Sequence, residues 1–187
     1  MRRNFKPGNM LYPVPAALIS CKGNDGQDNL ITIAWTGTIN SDPPMLSISV
    51  RKERFSHHLI KESGEFVVNL TTVAMAAAVD MCGVKTGAKD DKWKLSGLTR
   101  EKASVVSAPL VAESPVCLEC KVKQVLELGS HDMFIAEVVA VDVDEKYFDA
   151  NDKFDLDACD LLAYSHGTYF KLGEKLGGFG FSVKKNR

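Results

Sequence analysis

Arg51, Lys52 and Arg54 stand directly before Ser56, His57 and His58 in the stretch RKERFSHH. Cations, a hydroxyl and imidazoles in so short a span suit a phosphate. Such a group is held by charge-assisted hydrogen bonds and by the free N–H groups at a helix start. Ser56 reads as the cap of a short helix, Ser56 to Ser63, which Gly64 stops. A second feature lies just upstream: Trp35 is followed by the small residues Thr36, Gly37 and Thr38, expected to form a loop. A planar ring needs apolar walls and backbone N–H donors at its polar edge. Trp35 offers a wall and residues 36–38 the donors. A ring site and a phosphate site within one hairpin's reach suit a flavin nucleotide, whose reduction puts negative charge on the ring edge that such donors meet.

The elements that must position these residues are mostly strands. Residues 16–21 form an apolar run, and KGNDGQDN at 22–29 is a dense turn signal that leads into a second strand at 30–35. Met45 to Val50 alternates apolar and small polar residues after an Asp42-Pro43-Pro44 turn. Residues 65–70 give another strand. Two long ones, 116–128 and 133–143, flank a tight turn at Gly129-Ser130-His131-Asp132. Residues 73–81 are alanine-rich and helical, with Thr71 or Thr72 as cap and Gly83 as stop. Residues 85–99 read as a charged surface loop or lid, and 147–157 as a polar loop ahead of short strands at 161–165 and 169–172. Strands in this number with only two short helices predict a mainly β protein, a closed or nearly closed barrel with short helical inserts. Helices this sparse do not fit a parallel βαβ sheet.

Composition narrows the classes. With 187 residues, 45% apolar and 25% charged, the chain is expected to form one domain over its whole length. A net charge of −1 without a basic block argues against duplex nucleic acid as a partner. No apolar run approaches the ~20 residues of a membrane span, and no signal-like segment follows Arg2 and Arg3. Five scattered cysteines suit a reducing cytoplasm. Cys117 and Cys120 have metal-site spacing, but residues three apart on a strand point to opposite faces, so no metal is expected there. The carboxylates at 149–160 lack the glycine of a calcium loop. The glycines at 173, 177, 178 and 180 follow no strand-to-helix pattern.

Several ordered motifs together carry a resemblance: AWTGTINSDPP, SVRKERFSHHLIKESGEFVVNL, Cys82-Gly83, Asp91-Lys92-Trp93, GSHDMFIAEV and the closing YSHGTYFKLGEKLGGFGFS. Over nearly its whole length the chain resembles the FMN-binding split-barrel proteins, in their flavoredoxin and flavin-reductase-like branch. The resemblance implies a six-stranded split β-barrel that pairs as a homodimer, with FMN bound non-covalently at the barrel mouth. It places Trp35, Thr36, Gly37 and Thr38 at the ring. Val50, Arg51, Lys52, Arg54, Phe55, Ser56 and His58 fall around the phosphate, and Lys92 closes over it. His131 falls at the reacting side, where this branch has a Gly-Asp-His turn beside a nicotinamide. Ser130 stands in place of that aspartate, and Asp132 follows the histidine instead. The implied roles are an electron carrier served by a redox-protein donor, or a reductase oxidising NADH or NADPH with flavin as exchanging substrate. A split-barrel interaction module without flavin is the third.

Overall fold

The computed structural model describes residues 1–183. Its strands in chain order are β1 (Val14–Pro15), β2 (Ala17–Lys22), β3 (Asp28–Ile33), β4 (Thr36–Ser41), β5 (Pro44–Arg51) and β6 (Glu65–Asn69). These are followed by β7 (Arg100–Glu101), β8 (Leu110–Val111), β9 (Val116–Glu127), β10 (His131–Val143), β11 (Leu162–Ser165) and β12 (Thr168–Lys171). Seven of them form one antiparallel sheet in the order β3-β2-β6-β9-β10-β5-β4, while β1, β11 and β12 form a small second sheet. The expected mainly β split barrel is the architecture found.

A bend at Ala34-Trp35 explains both the barrel and the seventh strand. β3 is one edge of the large sheet and β4 the other, yet only two residues separate them. The Ser49 N–H donates to the Trp35 carbonyl at 2.9 Å, which extends the β4–β5 ladder into the bend. One continuous segment therefore leaves the sheet at one edge and rejoins it at the other, closing the barrel at that corner. This corrects the expected loop at 36–38. Thr36, Gly37 and Thr38 pair with Ile48, Ser47 and Leu46, because an edge strand satisfies more backbone groups than a loop would.

Alternation sets the interior. In β5, Leu46, Ile48 and Val50 are buried and the residues between them half-exposed. β2 instead is buried on both faces, which accounts for its unbroken apolar run. Ala17, Ile19 and Cys21 enter the barrel core with Leu59, Phe66 and Phe134, whereas Leu18 packs outward with Val79, Cys82 and Trp93. Each such side chain contributes about 1.5–3 kcal/mol on burial. Cys117 and Cys120 belong to different clusters, as strand alternation requires.

Among the described residues, three short α-helices dress the barrel: α1 (Phe55–Ser63), α2 (Ala76–Val84) and α3 (Lys92–Ser96). α1 ends at Gly64 in the left-handed region (φ 67°), as expected, but Arg54 and not Ser56 is its N-cap residue, and no side chain caps it. α2 runs through Gly83, which was expected to stop it. A Cβ there would lie 3.4 Å from Thr32, so the glycine admits close packing of α2 on β3. The Thr32 hydroxyl donates to the Val79 carbonyl at 2.5 Å and fastens the two. The expected loop at 85–99 contains α3, whose Lys92 and Trp93 are buried. One buried aromatic and one buried lysine in a charged segment are too few to show as a helical apolar period.

Candidate functional site

A cleft of about 380 Å³ opens at the closed corner of the barrel. Its floor is the end of β3, the Ala34-Trp35 bend and the end of β5 at Ser49, Val50 and Arg51. Arg54 closes one end, His131 stands beside Arg51, and Asp80, Gly83 and Val84 of α2 form a rim. The opposite wall is aromatic, built by Tyr12, Tyr164 and Tyr169. Their rings make a connected array: Tyr12 lies 6.1 Å from Trp35 and 6.2 Å from Tyr164, and Tyr164 lies 5.4 Å from Tyr169.

The cations differ in availability. Arg51 Nη1 lies 3.0 Å from Glu53 Oε1, with both side chains largely in water. Lys52 lies between Glu127 at 3.1 Å and the buried Asp132 at 3.3 Å, and hydrogen bonds to Glu127 and then Asp132 push its ammonium up. Among the described residues, Arg54 has no ion pair. It precedes the first turn of α1, where unsatisfied N–H groups and the helix dipole favour an anion. His131 pairs with Arg51 in the β5–β10 register. Its Nδ1 is 2.9 Å from the Ser130 hydroxyl. Burial and then the Arg51 charge hold His131 below the usual imidazole value, which favours its neutral form. Burial and then Asp80 push the Tyr169 phenol up to about 12, which keeps it protonated.

Two expected phosphate ligands, Ser56 and Lys92, do not line the cleft. The Ser56 side chain is fully buried and its hydroxyl accepts from Asn29 Nδ2 at 2.9 Å. Lys92 is buried, and its Nζ donates to the carbonyls of Leu30 and Cys82, each at 2.8 Å. Burial pushes this ammonium down to about 8, with the Arg54 charge acting in the same direction. Both residues tie cleft-forming elements together: Asn29 and Leu30 belong to β3, Ser56 to α1 and Cys82 to α2.

The flavin reductase like domain model matches residues 9–173. The chain belongs to the flavin reductase like family. An uncharacterized protein of Archaeoglobus fulgidus is 34% identical over 131 residues, which cover 70% of this chain and 73% of that one. Among solved structures, the flavoredoxin of Desulfovibrio vulgaris superposes with a TM-score of 0.90 at 28% identity, covering 98% of this chain and 100% of that one. The flavoredoxin of Methanosarcina acetivorans gives 0.88 at 29% identity, covering 98% of each. Membership of this family assigns the chain a flavin-linked redox role.

Of the residues expected at such a flavin reductase like site, Trp35, Val50, Arg51, Arg54 and His131 line the cleft together. Thr36, Gly37 and Thr38 run away from it along β4, with Gly37 and Thr38 exposed. Lys52 is turned to its two carboxylates. Phe55 packs partly into the barrel core, and His58 is exposed with its ring edge-on to Phe55 at 4.9 Å. Tyr12, Asp80, Tyr164 and Tyr169 escaped sequence reasoning. They come from three distant segments, and nothing local marks a surface tyrosine as a cleft wall. No helix of the described residues is long and apolar enough to cross a membrane.

Proposed function

We propose that the chain holds FMN non-covalently in this cleft and passes electrons through it. One observation carries the reading: an arginine without an ion pair among the described residues, at a helix start, shares a cleft with a bend built on Trp35 and a wall of tyrosines. The donor set fits the group. The guanidinium of Arg54, with Arg51 beside it, suits a terminal phosphate, and the apolar floor and tyrosine wall suit a flat ring. When bound, the flavin supplies the hydride and electron chemistry, which no side chain can perform. The protein's part is to fix the phosphate end, shield the ring from water and keep a neutral imidazole, His131, at the cleft. Mass spectrometry of the flavin released from purified protein tests the cofactor. FMN is expected near one per protomer, and mostly FAD would overturn the assignment.

The flavoredoxin likeness favours a carrier served by a redox protein. A second reading, oxidation of NADH or NADPH, is favoured by the half-buried, neutral His131 beside Arg51. Anaerobic addition of NADH or NADPH separates them: prompt bleaching of the visible flavin band supports the reductase, and no bleaching supports the carrier. A homodimer is also proposed. Leu172, Leu176, Phe179 and Phe181 expose between 60% and 107% of their surface, more apolar surface than one short tail leaves in water without a partner. Light scattering is expected to give twice the protomer mass, and a monomer with flavin bound would refute it. Five free, buried cysteines support a cytoplasmic setting.

A further inference from the structure

The cation end of the cleft hangs on the turn from β5 into α1, residues 51–57, whose part ahead of the helix, 52–54, packs sparsely. Lys52 and Glu53 are exposed and Arg54 is only half-buried. A buried carboxylate lies directly beneath this turn. Asp132, 1% exposed, sits in β10 opposite Val50 of β5, immediately after His131 in the chain. Its Oδ2 is 2.9 Å from His57 Nε2, in the first turn of α1. Its Oδ1 is 3.3 Å from Lys52 Nζ at the other end of the turn. His57 is itself buried, and its ring stands edge-on to the fully buried Phe134 at 5.5 Å.

From this juxtaposition we infer that Asp132 is the positioning residue of the phosphate end: one buried carboxylate grips the Lys52 and His57 ends of the turn and so sets Arg54 between them. The inference rests on the phosphate reading of Arg54. Asp132 itself lies behind Val50 and does not line the cleft, so it acts only through the residues it holds. An apolar side chain there would hold neither end of the turn. The carboxylate remains charged for the purpose. Burial works to raise it, but the hydrogen bond from His57 and the Lys52 ammonium paired with Oδ1 at 3.3 Å outweigh burial and hold it below the usual carboxylate range. A buried charge is retained only where partners compensate it, and here both partners lie on the one turn that carries the cleft's free guanidinium.

The test compares FMN with riboflavin, which lacks the phosphate, by fluorescence quenching on the refolded apoprotein. Asp132→Asn keeps the shape and removes the charge. It is expected to raise the FMN dissociation constant roughly fivefold or more and leave that of riboflavin within about twofold. In the double variant Arg54→Ala/Asp132→Asn, FMN is expected to bind as it does to Arg54→Ala alone, because Asp132 has nothing left to position. A general structural role would weaken both ligands alike and add to the Arg54→Ala effect, and either result overturns the inference. Should Asp132→Asn fail to fold, His57 probes the same grip. His57→Gln can still donate to Asp132 and is expected to bind FMN normally, whereas His57→Phe is expected to show the selective FMN loss. Equal behaviour of the two would also overturn it. If Arg54→Ala alone fails to separate FMN from riboflavin, the phosphate reading falls and this inference with it. If Arg54→Ala separates them and Asp132→Asn does not, only the inference falls.

Discussion

Arg54→Ala removes the one cleft cation that has no partner among the described residues. A charge-assisted bond to phosphate is worth about 1.5–3 kcal/mol net, so the FMN dissociation constant is expected to rise roughly ten- to hundredfold. Arg51→Ala is expected to do less. That guanidinium already meets Glu53 at 3.0 Å and must give up an exposed pair worth about 0–1 kcal/mol to reach the ligand. The fold is not expected to suffer. The backbone bonds of Arg54, from its N–H to the Arg51 carbonyl and from the His57 N–H to its own carbonyl, survive the change. No side-chain cap is lost either. Quenching titrations with FMN and riboflavin read the effect, and a thermal melt checks the fold. Equal losses of FMN and riboflavin would refute the reasoning, as would an Arg51→Ala loss larger than that of Arg54→Ala.

His131→Ala is expected to slow electron delivery, followed by stopped-flow absorbance, with FMN retained; loss of FMN at a normal rate in the remaining holoprotein would contradict it. Gly87→Ala would place a Cβ 2.5 Å from Asn29 Oδ1. Asn29 is buried and bonded to Ser56, so a loss of about 1–3 kcal/mol is expected in urea unfolding, and an unchanged midpoint counts against the packing described. Lys92 has an ordinary value of 10.5 and is held at about 8 in the fold. Between those values the unfolded chain keeps the proton and the folded chain has shed it, so stability rises with pH. The stability difference between wild type and Lys92→Met should therefore climb across that window by up to ~1.4 kcal/mol per pH unit. A flat difference would show that Lys92 keeps an ordinary affinity for its proton.

The strands were legible because alternation in β5 and the unbroken run in β2 are written in residues that touch in sequence. Gly64 was readable for the same reason, since a left-handed stop is a local requirement. The burial of Ser56 and Lys92 was not legible, because residue type reports chemistry but not depth. A serine in a first turn looks identical whether it faces solvent or Asn29. The Thr36–Thr38 strand was hidden by its composition, as small polar residues mark loops and exposed edge strands alike. The tyrosine wall was beyond reach: Tyr12 and Tyr164 meet only because β1 pairs with β11.

The two sides of the cleft meet through a pairing between residues far apart in the chain, Arg51 with His131. The hairpins β2–β3, β4–β5 and β9–β10 each join neighbouring strands, so each closes a short loop and can form early. Docking β5 on β10 must close a long loop at a larger entropic cost. The cleft is therefore completed late, and no half-folded chain carrying only its hairpins can recognise flavin. Bound cofactor should then slow unfolding without quickening folding. Conservative truncations in the β5–β10 pairing should report transition-state φ-values below those in the β9–β10 hairpin.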